Sequence, residues 1–203
     1  KQKRQCDYVH AIMFDMLSEE EKRIACDELN EMIVKNGFHL NTGFLSTYEL
    51  LHVLTDYGHG DTAWKLMLQD TYPGWLYQLK YDATTVWENW KGMEAGREPK
   101  DSMNHYSFGT FAGWLMDRAA GIRVEKGKIR IQPHPDRQIG YVKASYDSPF
   151  GKIKSSWEYE GETCKIKVEI PANAHAEILL PDGSCHEADY GKYEYVIMEN
   201  KHE

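Results

Sequence analysis

No apolar run in this sequence is long enough to cross a bilayer, and no dense cluster of positive charge occurs beyond residues 1–4. The first absence argues against a membrane helix, which needs about 20 consecutive apolar residues, so no membrane partner is expected. The second argues against nucleic acid, because neutralising phosphates takes clustered Lys and Arg. Here 32 acidic residues outnumber 24 basic ones, for a net charge of -8. Cysteine is scarce as well. Cys6, Cys26, Cys164 and Cys185 lack any C-x-x-C spacing and do not read as a disulfide framework. Free thiols are expected, with Cys164 and Cys185, which share one half of the chain, as the pair that could bridge. An initiator methionine is absent, and no apolar segment follows residues 1–7, so the N-terminus does not read as a signal peptide. The chain starts as though cut from the interior of something longer, and no compartment is assigned.

What is present is a globular composition, 41% hydrophobic over 203 residues, enough for one large domain or two small ones. Aromatics reach 12%, with six Trp and thirteen Tyr, an excess that leans toward surfaces gripping flat or ring-shaped ligands. Val9, Ile12, Met13 and Met16 recur at helical spacing, as do Ala25, Leu29, Met32 and Ile33. Ser18 with Glu21 reads as a capping box for the second helix, and Lys35, Asn36 and Gly37 as its basic last turn and left-handed stop. A third helix is predicted over 47–57. A fourth should follow Asp61 as cap, carrying Ala63, Leu66 and Met67 inward. Asp56 and Asp61 are read as helix caps around a tight turn. After an aperiodic stretch over 73–96, Phe108, Phe111, Ala112, Leu115 and Ala119 restore a helical face that Gly121 ends.

Beyond Gly121 the period becomes two, in Lys128-Ile129-Arg130-Ile131 and Lys165-Ile166-Lys167-Val168-Glu169-Ile170. Turn chemistry at Ser148-Pro149-Phe150-Gly151 and Pro181-Asp182-Gly183 separates further strands around Trp157, Ile178 and Tyr195, which suits an antiparallel β-sandwich. The boundary is placed near 121–126, giving domains 1–122 and 123–203. Helix pairs with short connections, then a small sandwich, fit a toroid of helical hairpins whose loops line one open face. Residues 41–44, 72–77, the Glu88 segment and 104–106 are the loops expected to meet on that rim.

The chemistry concentrates in Tyr81-Asp82-Ala83-Thr84-Thr85-Val86-Trp87-Glu88-Asn89-Trp90 and Asn104-His105-Tyr106. Aromatic faces can stack on sugar C–H groups and limit water, leaving Glu88 to take a proton from one water molecule as general base. The plainer reading makes both tryptophans core and Glu88 a solvated or salt-bridged surface residue. Trp75, after Pro73-Gly74, is open between rim and interior. Trp64 reads as core, and Trp157 as inter-sheet packing in a sandwich that props the helical domain. His52 and His59 flank a chain break at Gly58 with no cysteine or acid set to complete a metal site. His10, His134, His175, His186 and His202 show no partner spacing, so neither a metal nor another cofactor is expected.

At these residues the chain resembles the bacterial α-L-rhamnosidases of glycoside hydrolase family 78. The likeness rests on five pieces in order: Thr42-Gly43-Phe44-Leu45-Ser46, Gly60-Asp61-Thr62-Ala63, Thr71-Tyr72-Pro73-Gly74-Trp75, Ala83-Thr84-Thr85-Val86-Trp87-Glu88-Asn89-Trp90 and Asn104-His105-Tyr106-Ser107-Phe108-Gly109. The resemblance implies the second half of an (α/α)6 toroid followed by a C-terminal β-sandwich. It also implies inverting release of terminal α-L-rhamnose from glycosides or polysaccharides. Carried over by position, Glu88 matches the general base and His105 a histidine that contacts the sugar, while Trp90 and Asn104 match pocket or rim positions; Trp75 joins them as a substrate-binding candidate. The general acid is expected upstream of Thr42, in the N-terminal remainder of a parent chain, so the segment alone is expected to be inactive.

Two departures stand out. Asn89 replaces the family's usual basic residue after the glutamate, and the stretch over 91–103 is short. The alternatives are a non-catalytic sugar-binding relative or an inverting glycoside phosphorylase on the same toroid. Phosphate would need several cationic donors, and around Glu88 only Lys80, Lys91 and Arg97 are at hand.

Overall fold

The computed structural model describes residues 3–92 and 101–198; Arg97 and His202 lie outside the described residues. The chain divides into two compact units, Lys1–Ala112 and Gly113–Glu203.

The first unit is helical. Helices α1 (Gln5–Met13) and α2 (Glu19–Lys35) are followed by α3 (Phe44–Asp56) and α4 (Gly60–Met67). Helix α1 packs on α2 and α3, and α3 on α4. Helix α2 starts at the Ser18 and Glu21 capping box, with both reciprocal bonds made, and stops at Asn36, followed by Gly37 at φ +65°. Its apolar stripe buries Cys26, Leu29 and Ile33. From α3 come Leu50, Leu51 and Leu54, and from α4 Ala63, Trp64 and Leu66. Each buried Leu or Ile side chain contributes about 1.5–3 kcal/mol.

The start of α3 differs from the expectation of Thr47. Gly43 is the N-cap, Thr47 Oγ1 donates back to the Gly43 carbonyl (2.8 Å), and Phe44 becomes the first helical residue. Helix α4 also starts earlier than predicted, at Gly60 behind His59, so Asp61 is not a cap. Its carboxylate lies in the first turn, where the positive end of the helix favours it. Asp56 is the last residue of α3 and caps neither helix. The aperiodic stretch contains a 3-10 turn over Leu76–Tyr81, closed by Asp82 at φ +53°; residues 93–96 of it lie outside the described residues.

The helical face after Tyr106 is wound in three ways. A 3-10 turn (Tyr106–Thr110) leads into a short α-helix, α5 (Phe111–Trp114), and then a π-turn (Leu115–Ala119). Gly121 ends it at φ +77°. A side chain there would meet the carbonyl carbon of Gln132 and the nitrogen of Pro133, each 2.3 Å from the added Cβ, so only glycine fits.

The second unit is a β-sandwich. Strands β1 (Ile122–Glu125), β2 (Lys128–Ile131), β6 (Ala176–Leu179) and β7 (Cys185–Ala188) form one sheet in the order β1-β2-β6-β7. The other is β3 (Tyr141–Ser148), β4 (Gly151–Glu160), β5 (Thr163–Ile170) and β8 (Gly191–Met198), in the order β3-β4-β5-β8. The core alternates as period two demands: Ile129 and Ile131, Ile153 and Trp157, Ile166, Val168 and Ile170, Ala176 and Ile178. Trp157 is core, with Nε1 donating to the Ala119 carbonyl (2.8 Å). The sandwich is not wholly antiparallel. Strands β2 and β6 pair in parallel, which the long crossover through β3, β4 and β5 permits. Cys164 and Cys185 do not bridge, because they sit in opposite sheets, one buried and the other exposed.

Candidate active site

All four loops expected at the rim belong to the helical unit, and named contacts join them. Trp87 is the inward anchor. It is 2% exposed, and its backbone N–H donates to Oε1 of the buried Gln78 (3.1 Å) on the 3-10 turn. Its indole lies against Gly92, where an added Cβ would sit 1.9 Å from Cε3 of the ring. With Trp87 committed to the interior, the next side chain, Glu88, is only half-buried.

Glu88 is held from both main chain and side chain. Its N–H donates to the Ser102 carbonyl (2.9 Å), and the Ser102 N–H donates to Oε2 (3.0 Å). Among the described residues Oε1 receives no such bond. Asn89 secures the following turn: Oδ1 accepts from the Lys91 N–H (2.9 Å), its carbonyl accepts from the Gly92 N–H (3.0 Å), and Nδ2 donates to Asp101 (3.0 Å).

The same pairing brings in His105. Its N–H donates to the Val86 carbonyl (2.8 Å), so the stretch carrying Glu88 and the one carrying His105 pass in opposite directions, bonded at Val86 and at Glu88. The imidazole stacks on Phe44 (centroids 4.7 Å, 14°) and on Tyr106 (5.2 Å, 14°), and Nδ1 accepts from the Ser107 N–H (3.3 Å). Asn104 is exposed, its main chain locked to the Ser102 hydroxyl in both directions.

Trp90 is half-buried, stacked on Phe108 (3.9 Å, 19°), with Nε1 donating to the Thr42 carbonyl (3.2 Å). That bond ties the Glu88 segment to the start of α3. Trp75 is not on the rim. It is 5% exposed, its Nε1 donates to the Phe108 carbonyl (2.8 Å), and its ring meets Trp90 edge to face (5.6 Å, 88°). Its polar handle is satisfied inside, and its ring backs Trp90.

Glu88, His105, Trp90 and Asn104 thus lie on two adjoining stretches, with Trp75 below them. The plainer reading fits Trp87, which is core, but Glu88 carries no salt bridge among the described residues. Two residues not singled out from the sequence complete the arrangement, Gln78 anchoring Trp87 and Ser102 holding Glu88, while Phe108, read from the sequence as part of a helical face, underlies Trp90. Gln78 carried no signal in its aperiodic stretch, and Ser102 acts through backbone atoms. Of the basic side chains nearby, Lys80 pairs with Asp70 (3.4 Å) and Lys91 lies over the Tyr72 ring (5.8 Å). Among the described residues no three His, Cys, Asp or Glu side chains are grouped to hold a metal ion.

Residues 1–119 match the family model for the bacterial α-L-rhamnosidase 6-hairpin glycosidase domain, and residues 127–193 the model for the bacterial α-L-rhamnosidase C-terminal domain. An α-L-rhamnosidase of Formosa agariphila is 39% identical over 184 residues, covering 87% of this chain and 20% of that protein. One from Streptomyces avermitilis is 32% identical over 87% of this chain and 18% of its own length. The chain therefore spans about a fifth of the length of the curated relatives it matches. Among solved structures, the S. avermitilis α-L-rhamnosidase complexed with L-rhamnose superposes with a TM-score of 0.87 at 28% identity, over 95% of this chain and 21% of that one. The Aspergillus terreus α-L-rhamnosidase gives 0.89 at 27% identity, over 95% and 24%.

Proposed function

The chain belongs to the bacterial α-L-rhamnosidase family, and on that footing we propose that it is the C-terminal part of an inverting glycoside hydrolase that releases terminal α-L-rhamnose. The substrates on this reading are rhamnose-containing glycosides or polysaccharides, and the other partner of the segment is the N-terminal remainder of the same polypeptide. Residues 1–122 form the later hairpins of the catalytic toroid and 123–203 the accessory sandwich. The reading rests on one observation above all: Glu88 is fixed through Oε2 by the Ser102 amide, on a stretch bonded directly to the one that carries His105.

In the reaction, Glu88 Oε1 accepts a proton from water as the water oxygen attacks the anomeric carbon from the face opposite the leaving group. The bond from that carbon to the glycosidic oxygen breaks, and the oxygen leaves with a proton from a general acid contributed upstream of this segment. The two carboxyl groups stand roughly 6.5–9.5 Å apart in such enzymes, leaving room for the water. His105 and Asn104 bind sugar hydroxyls, and Trp90 bounds the pocket. A phosphorylase is disfavoured because Lys80 and Lys91 are engaged with Asp70 and Tyr72 rather than gathered around Glu88.

Proton NMR of the sugar first released by the full-length protein from p-nitrophenyl α-L-rhamnoside tests this. β-L-Rhamnose should appear first and then mutarotate; initial release of the α anomer would contradict inversion. The segment alone should release no rhamnose, and Glu88-dependent turnover by it would contradict the assignment of the acid to an upstream residue.

A further inference from the structure

The environment of His105 determines what that histidine can do. Its Nδ1 accepts the Ser107 N–H, so in the neutral ring the proton sits on Nε2. The second ring torsion of histidine is soft, and one hydrogen bond would not hold the plane of the imidazole. Two rings lie nearly parallel to it, Phe44 at 4.7 Å and 14° and Tyr106 at 5.2 Å and 14°, but Tyr106 is 82% exposed and Phe44 is the nearer and the one braced from behind. Phe44 is itself fixed. It is the first residue of α3, directly after the Gly43 cap that Thr47 Oγ1 closes, and its ring is braced by Phe108 (5.0 Å, 58°). Phe108 in turn stacks on Trp90, whose Nε1 returns to the Thr42 carbonyl two residues before Phe44. The rings and the chain form a closed circuit, on which the half-buried His105 is stacked through Phe44.

We propose that Phe44 is a positioning residue that, with the Ser107 amide, holds His105 as an Nε2–H hydrogen-bond donor toward the sugar. The inference deepens the glycosidase reading and rests on it for the identity of the ligand. A donor fixed in this way can bind a hydroxyl or ring oxygen but cannot take the water proton, which leaves that task to Glu88.

The test uses the full-length protein and the variants Phe44→Ala, Phe44→Leu and Phe44→Tyr. Losing a stacked pair should lower kcat/KM for p-nitrophenyl α-L-rhamnoside about tenfold, most of it as a raised KM. Phe44→Leu keeps apolar volume but not the flat face and should resemble Phe44→Ala, whereas Phe44→Tyr should restore kcat/KM to within about threefold of wild type. Nitrogen-15 NMR of the histidine-labelled protein, assigned with His105→Gln, should show the Nε2–H tautomer in wild type and Phe44→Tyr. Phe44→Leu should show a tautomer mixture. Full activity in Phe44→Leu, or a His105 tautomer unchanged in it, would overturn the proposal and leave Phe44 as packing. If wild type itself turned over no rhamnoside, the glycosidase reading would fail, while the tautomer measurement would still decide the role of Phe44.

Discussion

Replacing Gly92 by alanine probes how tightly Glu88 is held. Gly92 sits at φ +34° and closes the turn begun by Asn89, its N–H bonded to the Asn89 carbonyl at 3.0 Å. Left-handed backbone costs a residue with a Cβ about 1–2 kcal/mol. The added carbon would lie 1.9 Å from Trp87 Cε3, 2.6 Å from Cδ2 and 2.7 Å from Cζ3. The indole and the added carbon must therefore separate by about 1.6 Å to reach ordinary contact at about 3.5 Å. Trp87 is 2% exposed and its N–H is bonded to Gln78, so it moves only by disturbing the core, an overpacking cost of about 1–3 kcal/mol. The total of about 2–5 kcal/mol falls on the residue adjacent to Glu88. A displacement near 1 Å at a reacting group lowers rate by about a hundredfold. Gly92→Ala in the full-length protein should thus lose about two orders of magnitude in kcat/KM on p-nitrophenyl α-L-rhamnoside and show a lower thermal midpoint. Activity within twofold of wild type at an unchanged midpoint would refute the link from Trp87 to Glu88.

Trp157→Ala should destabilise the sandwich by about 3–5 kcal/mol, read from its guanidinium midpoint, since it empties a buried site and strips the Ala119 carbonyl of a donor. Loss of polysaccharide retention with no change in midpoint would instead make Trp157 a binding residue. Asp189 first, then Glu187, raise the pKa of the exposed His175, so its contribution to stability is complete below about pH 6.5 and is lost as pH rises through the raised value. The midpoint difference between wild type and His175→Gln should accordingly favour wild type at pH 5.5 and shrink as pH rises through the raised value; a difference that grows with pH would have the wrong sign. Burial pushes the Cys26 thiol up to about 12, so a thiol reagent at pH 8 should label the exposed Cys185 and spare Cys26 until the protein is unfolded.

Much of the fold was legible because periodicity is a local property. The Ser18 and Glu21 box, the stop after Asn36 and the switch of period after Gly121 are each written within a few residues. What escaped depends on partners distant in sequence. Parallel and antiparallel strands alternate identically, so the parallel pairing of β2 with β6 left no trace in either segment. Helix α3 begins at Phe44 because the Thr47 N–H bonds to the Gly43 carbonyl and closes the first turn there, with the Thr47 hydroxyl on the same carbonyl, so Thr47 lies inside the helix rather than at its start.

The site divides the same way. Glu88 and His105 could be singled out as side chains of a chemical type in a recognisable motif. The bonds that align their two stretches run through Ser102 and Val86 main-chain atoms, which any sequence possesses. Trp75 was open between rim and interior because nothing nearby shows that its indole finds the Phe108 carbonyl, 33 positions away.

The most direct measurement is the turnover of Glu88→Gln in the full-length protein. The amide keeps the shape and can still accept from the Ser102 N–H, but it cannot take a proton from water. Turnover of p-nitrophenyl α-L-rhamnoside should drop by about two to four orders of magnitude, with rhamnose binding retained. A kcat near that of wild type would remove Glu88 from the chemistry.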